Sequence, residues 1–455
     1  MMREPAFALL PRPARRELRG RRILVLGLGD TGLSVARWAE RLGARPRVAD
    51  TRAEPPRAAD FSGEMHTGAF TEALLDDVEL VCISPGLPLD QPLVSTALAR
   101  RIPVVGDIEL FAWHNTRPVL AVTGTNGKTT VSALTGHLLR AAGIDCEVAG
   151  NIGPAALAAL TARQERGTLP QAWVLELSSY QLETTWALEP QAAAMLNVTE
   201  DHLDRYAGIE HYAAAKARIF AGKGVQVLNR DDARAAAMAQ AGREVVTFGA
   251  GAPLRASDFG VRDAALVQGD APILARSDLP IHGLHNVANA LAACALARTA
   301  GVALSDLAGG LRSFTGLPHR LQRVALRKGV EWYDDSKGTN VGATIAALRG
   351  LGKRSVLILG GEGKGQDFAP LAAPAKQFAK HVLLIGRDAP LIERALGGLA
   401  LERCASLEQA VERAAALASP GEAVLLSPAC ASFDMFRDYR HRGEVFAAAV
   451  KRLPQ

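Results

Sequence analysis

Cysteine is scarce in this chain. Five residues, Cys82, Cys146, Cys294, Cys404 and Cys430, are spread over 455 positions without paired or metal-ligand spacing. That pattern excludes a disulfide scaffold and predicts reduced, mostly buried thiols in a reducing compartment. No run of eighteen apolar residues occurs, so no span across a membrane is expected. The opening Met1–Leu10 lacks a proper apolar core and a small-residue cleavage site. Export is therefore not expected, and a cytoplasmic location is. A large charge imbalance is missing too. The net charge of +5 is modest for this length, and part of it sits in Arg3, Arg12, Arg15, Arg16, Arg19, Arg21 and Arg22. The bland reading of this start is a solvated arm over residues 1–20; the sharper one is contact with an anionic surface. No basic patch is interleaved with aromatics, which leaves nucleic-acid binding without support. Short repeats and low-complexity segments are also lacking.

What is present is alternation. The chain is too long for one core, and 48% apolar with 22% charged residues is a globular balance. Short apolar runs that read as strands alternate with helical periodicities, which predicts an α/β protein of three blocks. In the first, Arg22–Leu26 is a strand, Leu33–Leu42 a helix and Pro46–Ala49 a returning strand. The second starts near Asp107 and includes strands at Ala172–Leu177, Ala192–Val198 and Val225–Asn229, with helices near Glu210–Phe220 and His285–Arg298. The third has strands near Val330–Tyr333, Ser355–Gly360, Val382–Ile385 and Ala423–Ser427. Polar residues collect just past the ends of these strands, where open α/β sheets bind ligands.

The densest chemistry lies in Val119–Thr130. A strand breaks into Gly124-Thr125-Asn126-Gly127 and then Lys128-Thr129-Thr130, opening a helix. Backbone N–H groups of such a loop face anionic oxygens, Lys128 can reach terminal phosphates, and the Thr129 hydroxyl can ligate Mg²⁺. The loop is shorter than the standard phosphate loop, which wants glycine where Val122 stands. Gly27-x-Gly29-x-x-Gly32 follows a strand, with Asp50 eighteen residues beyond Gly32. By itself that fingerprint predicts NAD; the same geometry holds the diphosphate of any nucleotide. Glu176 ends a strand facing the phosphate loop and suits Mg²⁺ coordination or water orientation. Asp201 and His202 end another. Lys216 reads as an ordinary lysine on an amphipathic helix. Three further loops at strand exits, Asp334–Asn340, Gly360–Asp367 and Ser427–Asp434, point to one binding face.

Along nearly its whole length the chain resembles the Mur ligases, the ATP-dependent amide ligases of peptidoglycan precursor synthesis. The matching segments include Gly106-Asp-Ile-Glu-Leu-Phe111, Thr123–Thr129, Glu176–Glu183, His202-Leu-Asp-Arg-Tyr206, Phe314–Arg320, Asp335–Asn340 and Ser427–Ser432. The resemblance implies three domains. A Rossmann-like N-terminal domain (1–106) would hold a uridine diphosphate. A P-loop-type central ATPase domain with a mostly parallel sheet (107–316) would hold ATP. A Rossmann-like C-terminal domain (317–455) would hold the incoming amino acid. It turns the NAD reading into a UDP reading, with Gly29, Asp30, Thr31, Asp50, Thr51, Arg52, Ser84, Pro85, Gly86, Asn151 and His202 around the UDP-substrate. It places ATP at Gly124–Thr130, Asn286, Asn289, Arg320 and Asp335. It implies two Mg²⁺ ions held by Thr129, Glu176, His202 and a carbamylated Lys216, with Lys128, Glu176, His202 and Lys216 the catalytic set. It assigns Lys337, Thr339, Lys364, Ser432, Phe433 and Tyr439 to the amino-acid pocket. The implied substrates are UDP-N-acetylmuramoyl-L-alanine, ATP and D-glutamate, and the expected state is a monomer with no membrane insertion. Two alternatives stand beside it: a folylpolyglutamate-type or other amide ligase using a different amino acid such as L-glutamate, and a sensor protein with an inactive ATP site.

Overall fold

A computed structural model describes residues 16–202, 205–281 and 283–454. Arg3, Arg12 and Arg15, and Leu203 and Asp204 of the 202–206 motif, lie outside them. Three sheets are stacked along the chain, each fed by the strand–helix alternation of the sequence. Among the described residues no helix is long and apolar enough to cross a membrane. All five cysteines are buried and free.

The first sheet is built from β1 (Arg22–Leu26), α1 (Asp30–Arg41), β2 (Arg45–Asp50), β3 (Glu64–Thr67), β4 (Leu80–Ile83), α2 (Pro92–Ala99) and β5 (Val104–Val105). Its order is β3-β2-β1-β4-β5, all parallel. The chain reverses direction beside β1, and this switch point opens a crevice past the ends of β1 and β4. Helix α1 begins at Asp30, three residues before the periodicity suggests. The fingerprint glycines explain this early start. Gly27 sits at φ +88°, and a Cβ on Gly32 would lie 1.8 Å from the Gly27 carbonyl oxygen. Only glycine lets the helix begin this close to the strand.

The middle domain continues with α3 (Asp107–His114), β6 (Val119–Thr123), α4 (Lys128–Ala141), β7 (Cys146–Gly150), α5 (Ala156–Glu165), β8 (Ala172–Glu176), α6 (Ser179–Glu183), β9 (Ala192–Met195), α7 (Ile209–Ala217), β10 (Val225–Asn229), α8 (Ala233–Ala236) and β11 (Val245–Phe248). Then come β12 (Phe259–Arg262), β13 (Ala265–Gln268), β14 (Ala271–Ala275), α9 (Leu284–Thr299) and α10 (Leu304–Ser313). The order is β14-β13-β12-β11-β10-β9-β6-β8-β7, parallel except for the β12–β14 meander. β6, β8 and β9 are buried end to end, as a parallel sheet covered on both faces requires. β9 stops at Met195 instead of running to Val198. The Asn197 side chain turns back and pairs with the Asn126 main chain, accepting from its N–H at 2.8 Å and donating to its carbonyl at 3.1 Å.

The segment Gly106–Phe111 joins the first two domains. The Glu109 carboxylate accepts from Trp186 N–H (2.6 Å), Ala187 N–H (2.7 Å) and Trp113 Nε1 (2.8 Å). Phe111 packs edge-on against Trp173 at 5.1 Å. One apolar core therefore runs from β1 through α3 to β8, and a continuous apolar contact of this kind opposes relative motion of the two domains.

The third domain comprises β15 (Gln322–Arg327), β16 (Val330–Asp334), α11 (Val341–Leu351), β17 (Ser355–Gly360), α12 (Ala372–Phe378), β18 (Ala379–Ile385), α13 (Ala389–Ala395), β19 (Leu401–Arg403), α14 (Leu407–Leu417), β20 (Ala423–Leu426) and α15 (Tyr439–Arg452). Its order is β15-β16-β20-β17-β18-β19, with only β15 antiparallel. Separate apolar clusters cover its two faces. It meets the middle domain through polar groups: Asn340 Nδ2 donates to Asp201 Oδ2 at 3.1 Å and to Asn126 Oδ1 at 3.3 Å. Polar contacts of this kind permit a domain to swing.

Candidate active site

The loop after β6 is shaped by two glycines. Gly124 (φ +155°) and Gly127 (φ +87°) adopt backbone angles that disfavour side chains. A Cβ on Gly127 would lie 2.5 Å from Asn289 Oδ1. Gly127 caps α4 in the left-handed conformation, which leaves the first N–H groups of that helix directed out of the loop. The Thr125 hydroxyl accepts from the Thr199 N–H at 3.0 Å. These bonds fix a cradle before any ligand arrives.

Two lysines converge on it. Lys128 Nζ donates to the carbonyls of Gly124 (2.9 Å) and Thr125 (3.0 Å), and Lys216 Nζ donates to the same Gly124 carbonyl at 2.9 Å. Lys216 is fully buried on α7 and lies 4.4 Å from the centre of the Tyr212 ring. Burial, reinforced by the Lys128 cation, pushes its ammonium well below the usual lysine range. Burial also lowers Lys128, with Glu176 and Asp201 opposing. Lys216 read as an ordinary helix residue by periodicity. Its burial beside a second lysine marks it instead, because an unneutralised buried cation is costly.

Glu176 ends β8 opposite the cradle. Asn151 Nδ2 donates to its Oε1 at 2.6 Å, while its buried Oε2 has no protein partner. His202 stands at φ +56°, with Nε2 3.7 Å from Asp201 Oδ2 and its ring against those of Tyr180 and Tyr212. Burial lowers its pKa, with Asp201 opposing.

Between the middle and third domains lies a cleft of about 220 Å³. Asn126, Gly127 and Thr130 line it from the loop, Asn286 and Asn289 from α9, and Arg320, Asp335 and Lys337 from the third domain. Asn289 donates to Asn286 Oδ1 at 3.0 Å. Burial raises the Asp335 carboxyl to about 7 although Ser427 Oγ donates to it at 2.7 Å. Burial brings the Lys337 ammonium down to about 8, and it sits 3.9 Å over the Tyr439 ring. The remaining third-domain candidates leave successive strands: Thr339 after β16, Lys364 after β17, Ser432 and Phe433 after β20. Ser432 is buried, Lys364 is exposed at φ +52°, and Phe433 is 65% exposed.

A larger cleft of about 830 Å³ opens from the first domain. Asp30, Thr31, Pro85 and Asn151 line it. Asp50 and Ser84 are engaged within the first domain. The Asp50 carboxylate accepts from Leu28 N–H (2.7 Å), Arg52 N–H (2.9 Å) and Arg52 Nη2 (2.6 Å), and Arg52 holds it near 2. Ser84 Oγ donates to the Gly27 carbonyl at 3.0 Å. The cleft also takes Gln181 from the middle domain and Arg440 from the third, neither of which stood out in the sequence.

Fold and loop together define a class: a three-domain α/β protein built around a phosphate cradle. Three family profiles match in chain order: Mur ligase MurD-like, N-terminal domain, over residues 21–106; Mur ligase middle domain over 122–297; and Mur ligase, glutamate ligase domain, over 319–430. The chain belongs to the Mur ligase family. It is 54% identical to the UDP-N-acetylmuramoylalanine–D-glutamate ligase of Nitrosospira multiformis, with 96% of each chain covered. To the enzyme of that name from Aromatoleum aromaticum it is 53% identical, with 96% of this chain and 98% of the relative covered. Among solved structures it shares its fold with the UDP-N-acetylmuramate–alanine ligase of Thermotoga maritima (TM-score 0.61, 19% identity, 94% and 99% covered). MurF from Acinetobacter baumannii is as similar (TM-score 0.61, 19% identity, 95% and 93% covered).

Proposed function

We propose that this chain is an ATP-dependent ligase that joins D-glutamate to UDP-N-acetylmuramoyl-L-alanine in peptidoglycan precursor synthesis. The observation that carries the chemistry is the meeting of Lys128, Lys216 and Glu176 at one cradle. The relatives' shared name supports the substrates and disfavours a folylpolyglutamate-type reading. On this reading residues 1–106 hold the UDP-substrate, 107–316 ATP and 317–455 the amino acid, and the protein works as a cytoplasmic monomer.

Among the described residues no three His, Cys, Asp or Glu side chains cluster as a ready-made metal site. The donors present nevertheless fit Mg²⁺ shared with phosphate oxygens, because Glu176 Oε2 is buried without a partner. Thr129 and Glu176 would hold one ion, His202 and Lys216 a second, with Lys216 carbamylated so that a cation becomes an anion. Bound Mg²⁺ would offset charge on the transferring phosphoryl group.

The chain's own residues do the rest. The loop N–H groups and Lys128 seat the triphosphate; Asn286, Asn289, Arg320 and Asp335 seat the nucleotide. Asn151 fixes the Glu176 carboxylate. The substrate carboxylate attacks the γ-phosphorus to give an acyl phosphate and ADP. The amine of glutamate, held by Lys337, Thr339, Lys364 and Ser432, attacks the acyl carbon and releases phosphate. Lys128 and Arg320 reduce the repulsion among three anionic partners. Seating the third domain through Asn340 excludes the water that would hydrolyse the acyl phosphate.

Phosphate release by the purified protein with ATP, Mg²⁺ and UDP-N-acetylmuramoyl-L-alanine tests this. Release should depend on D-glutamate and not on L-glutamate. Equal rates with both, or with neither, would overturn the substrate assignment.

A further inference from the structure

The cleft that opens from the first domain is lined in part by an exposed residue of the third, Arg440. Four arginines line it, facing the carboxylates of Asp30, Asp60 and Glu165. Three of the four are already engaged by the first two domains. Arg57 pairs with Asp30 at 2.6 Å and Asp60 at 3.2 Å, Arg41 pairs with Glu165 at 3.3 Å, and Arg37 donates to the Asp60 carbonyl at 3.0 Å. Arg440 differs. Its Nε donates to its neighbour Tyr439 Oη at 3.2 Å, and no carboxylate lies within ion-pair distance among the described residues. It is the cation that the cleft leaves for an incoming anion.

Arg440 lies in the first turn of α15, where the helix dipole opposes a cation. The capping Asp438 and Glu444, one turn on, attract it through space but do not pair with it. The tether through Tyr439 adds a consequence. The Tyr439 ring carries Arg440 on one contact, 5.6 Å from its centre, and Lys337 on another at 3.9 Å. Lys337 lines the cleft between the middle and third domains. A short chain of contacts therefore links the two clefts within the third domain.

We propose that Arg440 is a substrate-binding residue for the acidic nucleotide sugar, contributed by the third domain to a site otherwise built from the first two. Occupancy of that cleft by an anion then favours the seated position of the third domain. The inference rests on the reading of this cleft as the UDP-substrate site.

The test is steady-state kinetics of the full chain with each of the three substrates varied in turn. In Arg440→Ala the KM for UDP-N-acetylmuramoyl-L-alanine should rise about five- to fiftyfold, the range of one charge-assisted contact from a side chain exposed before the substrate binds. Arg440→Glu should raise it further and Arg440→Lys should restore part of it, while the KM values for ATP and D-glutamate stay within about twofold. An unchanged KM for the nucleotide sugar overturns the proposal, and so does a larger change for D-glutamate. If the unmodified protein turns over no UDP-N-acetylmuramoyl-L-alanine, the parent reading of the cleft has failed instead.

Discussion

Lys216→Met separates the two things a buried lysine can do. In the structure its ammonium has three N–H donors and one protein acceptor among the described residues, the Gly124 carbonyl at 2.9 Å. The same carbonyl also accepts from Lys128. One charge-assisted hydrogen bond returns about 1.5–3 kcal/mol, whereas removing an ammonium from water costs several kcal/mol after relaxation. Repulsion from Lys128 deepens the deficit. Methionine nearly matches the volume and needs no partner. The variant should therefore range from neutral to about 2 kcal/mol more stable in urea unfolding. Catalysis should move the other way. If Lys216 acts as a carbamate beside a metal, losing that anion removes about 3–4 kcal/mol of transition-state stabilisation, or roughly 10²–10³ in kcat. The assay is phosphate release in carbon-dioxide-free and bicarbonate buffers. Bicarbonate should raise the activity of depleted wild-type protein and leave the variant unchanged. A variant destabilised by more than about 2 kcal/mol yet within tenfold of wild-type kcat would refute the reasoning, because the ammonium would then be structural.

Lys128→Ala should lower kcat by about a hundredfold while the unfolding transition stays cooperative, since it removes the cation nearest the phosphate cradle; near-normal turnover would sink that role. Ser432→Ala and Lys364→Ala should raise the KM for D-glutamate roughly ten- to a hundredfold and that for ATP little, with exposed Lys364 at the lower end; equal shifts would reassign both to domain closure. Asp50 gives a pH prediction. Arg52 depresses its pKa from 3.8 to about 2, so its charged form stabilises the fold by about 2 kcal/mol. That contribution is complete above about pH 4 and is lost as pH falls through 2. The gap in urea midpoint between wild type and Asp50→Asn should hold from pH 7 to 4 and close toward pH 2; a gap independent of pH would show that the hydrogen bonds, not the charge, matter.

The elements that were legible in the sequence are those with a buried apolar centre. Ser355–Gly360 is buried throughout and Val225–Asn229 is buried between its two ends, and both became strands with those bounds. The segments that escaped notice are of a different kind. β3 is exposed at every position and Met65 is its one apolar residue, so it has no hydrophobic signature. β12, β13 and β14 form a meander of four to five residues each at a sheet edge, too short for a period to show. β9 looks three residues too long in sequence because nothing in Leu196–Val198 announces that Asn197 folds back on Asn126.

By itself the sequence determined the chemistry of each strand exit. Gly27, Gly124 and Gly127 shape their turns through positive φ, and Gly32 through its close approach to the Gly27 carbonyl, all conditions that disfavour a side chain. Family motifs carried the residue roles further, because they preserve residues whose partners lie far along the chain. Which groups meet was decided by the tertiary structure alone. Lys216 and Lys128 are 88 positions apart and share one carbonyl. Glu176 keeps one carboxylate oxygen free because Asn151 takes the other. Arg440 faces a cleft of the first domain from the last helix of the chain. Periodicity reports which face of an element is apolar, whereas charge balance at a site is a sum over elements that only packing brings together.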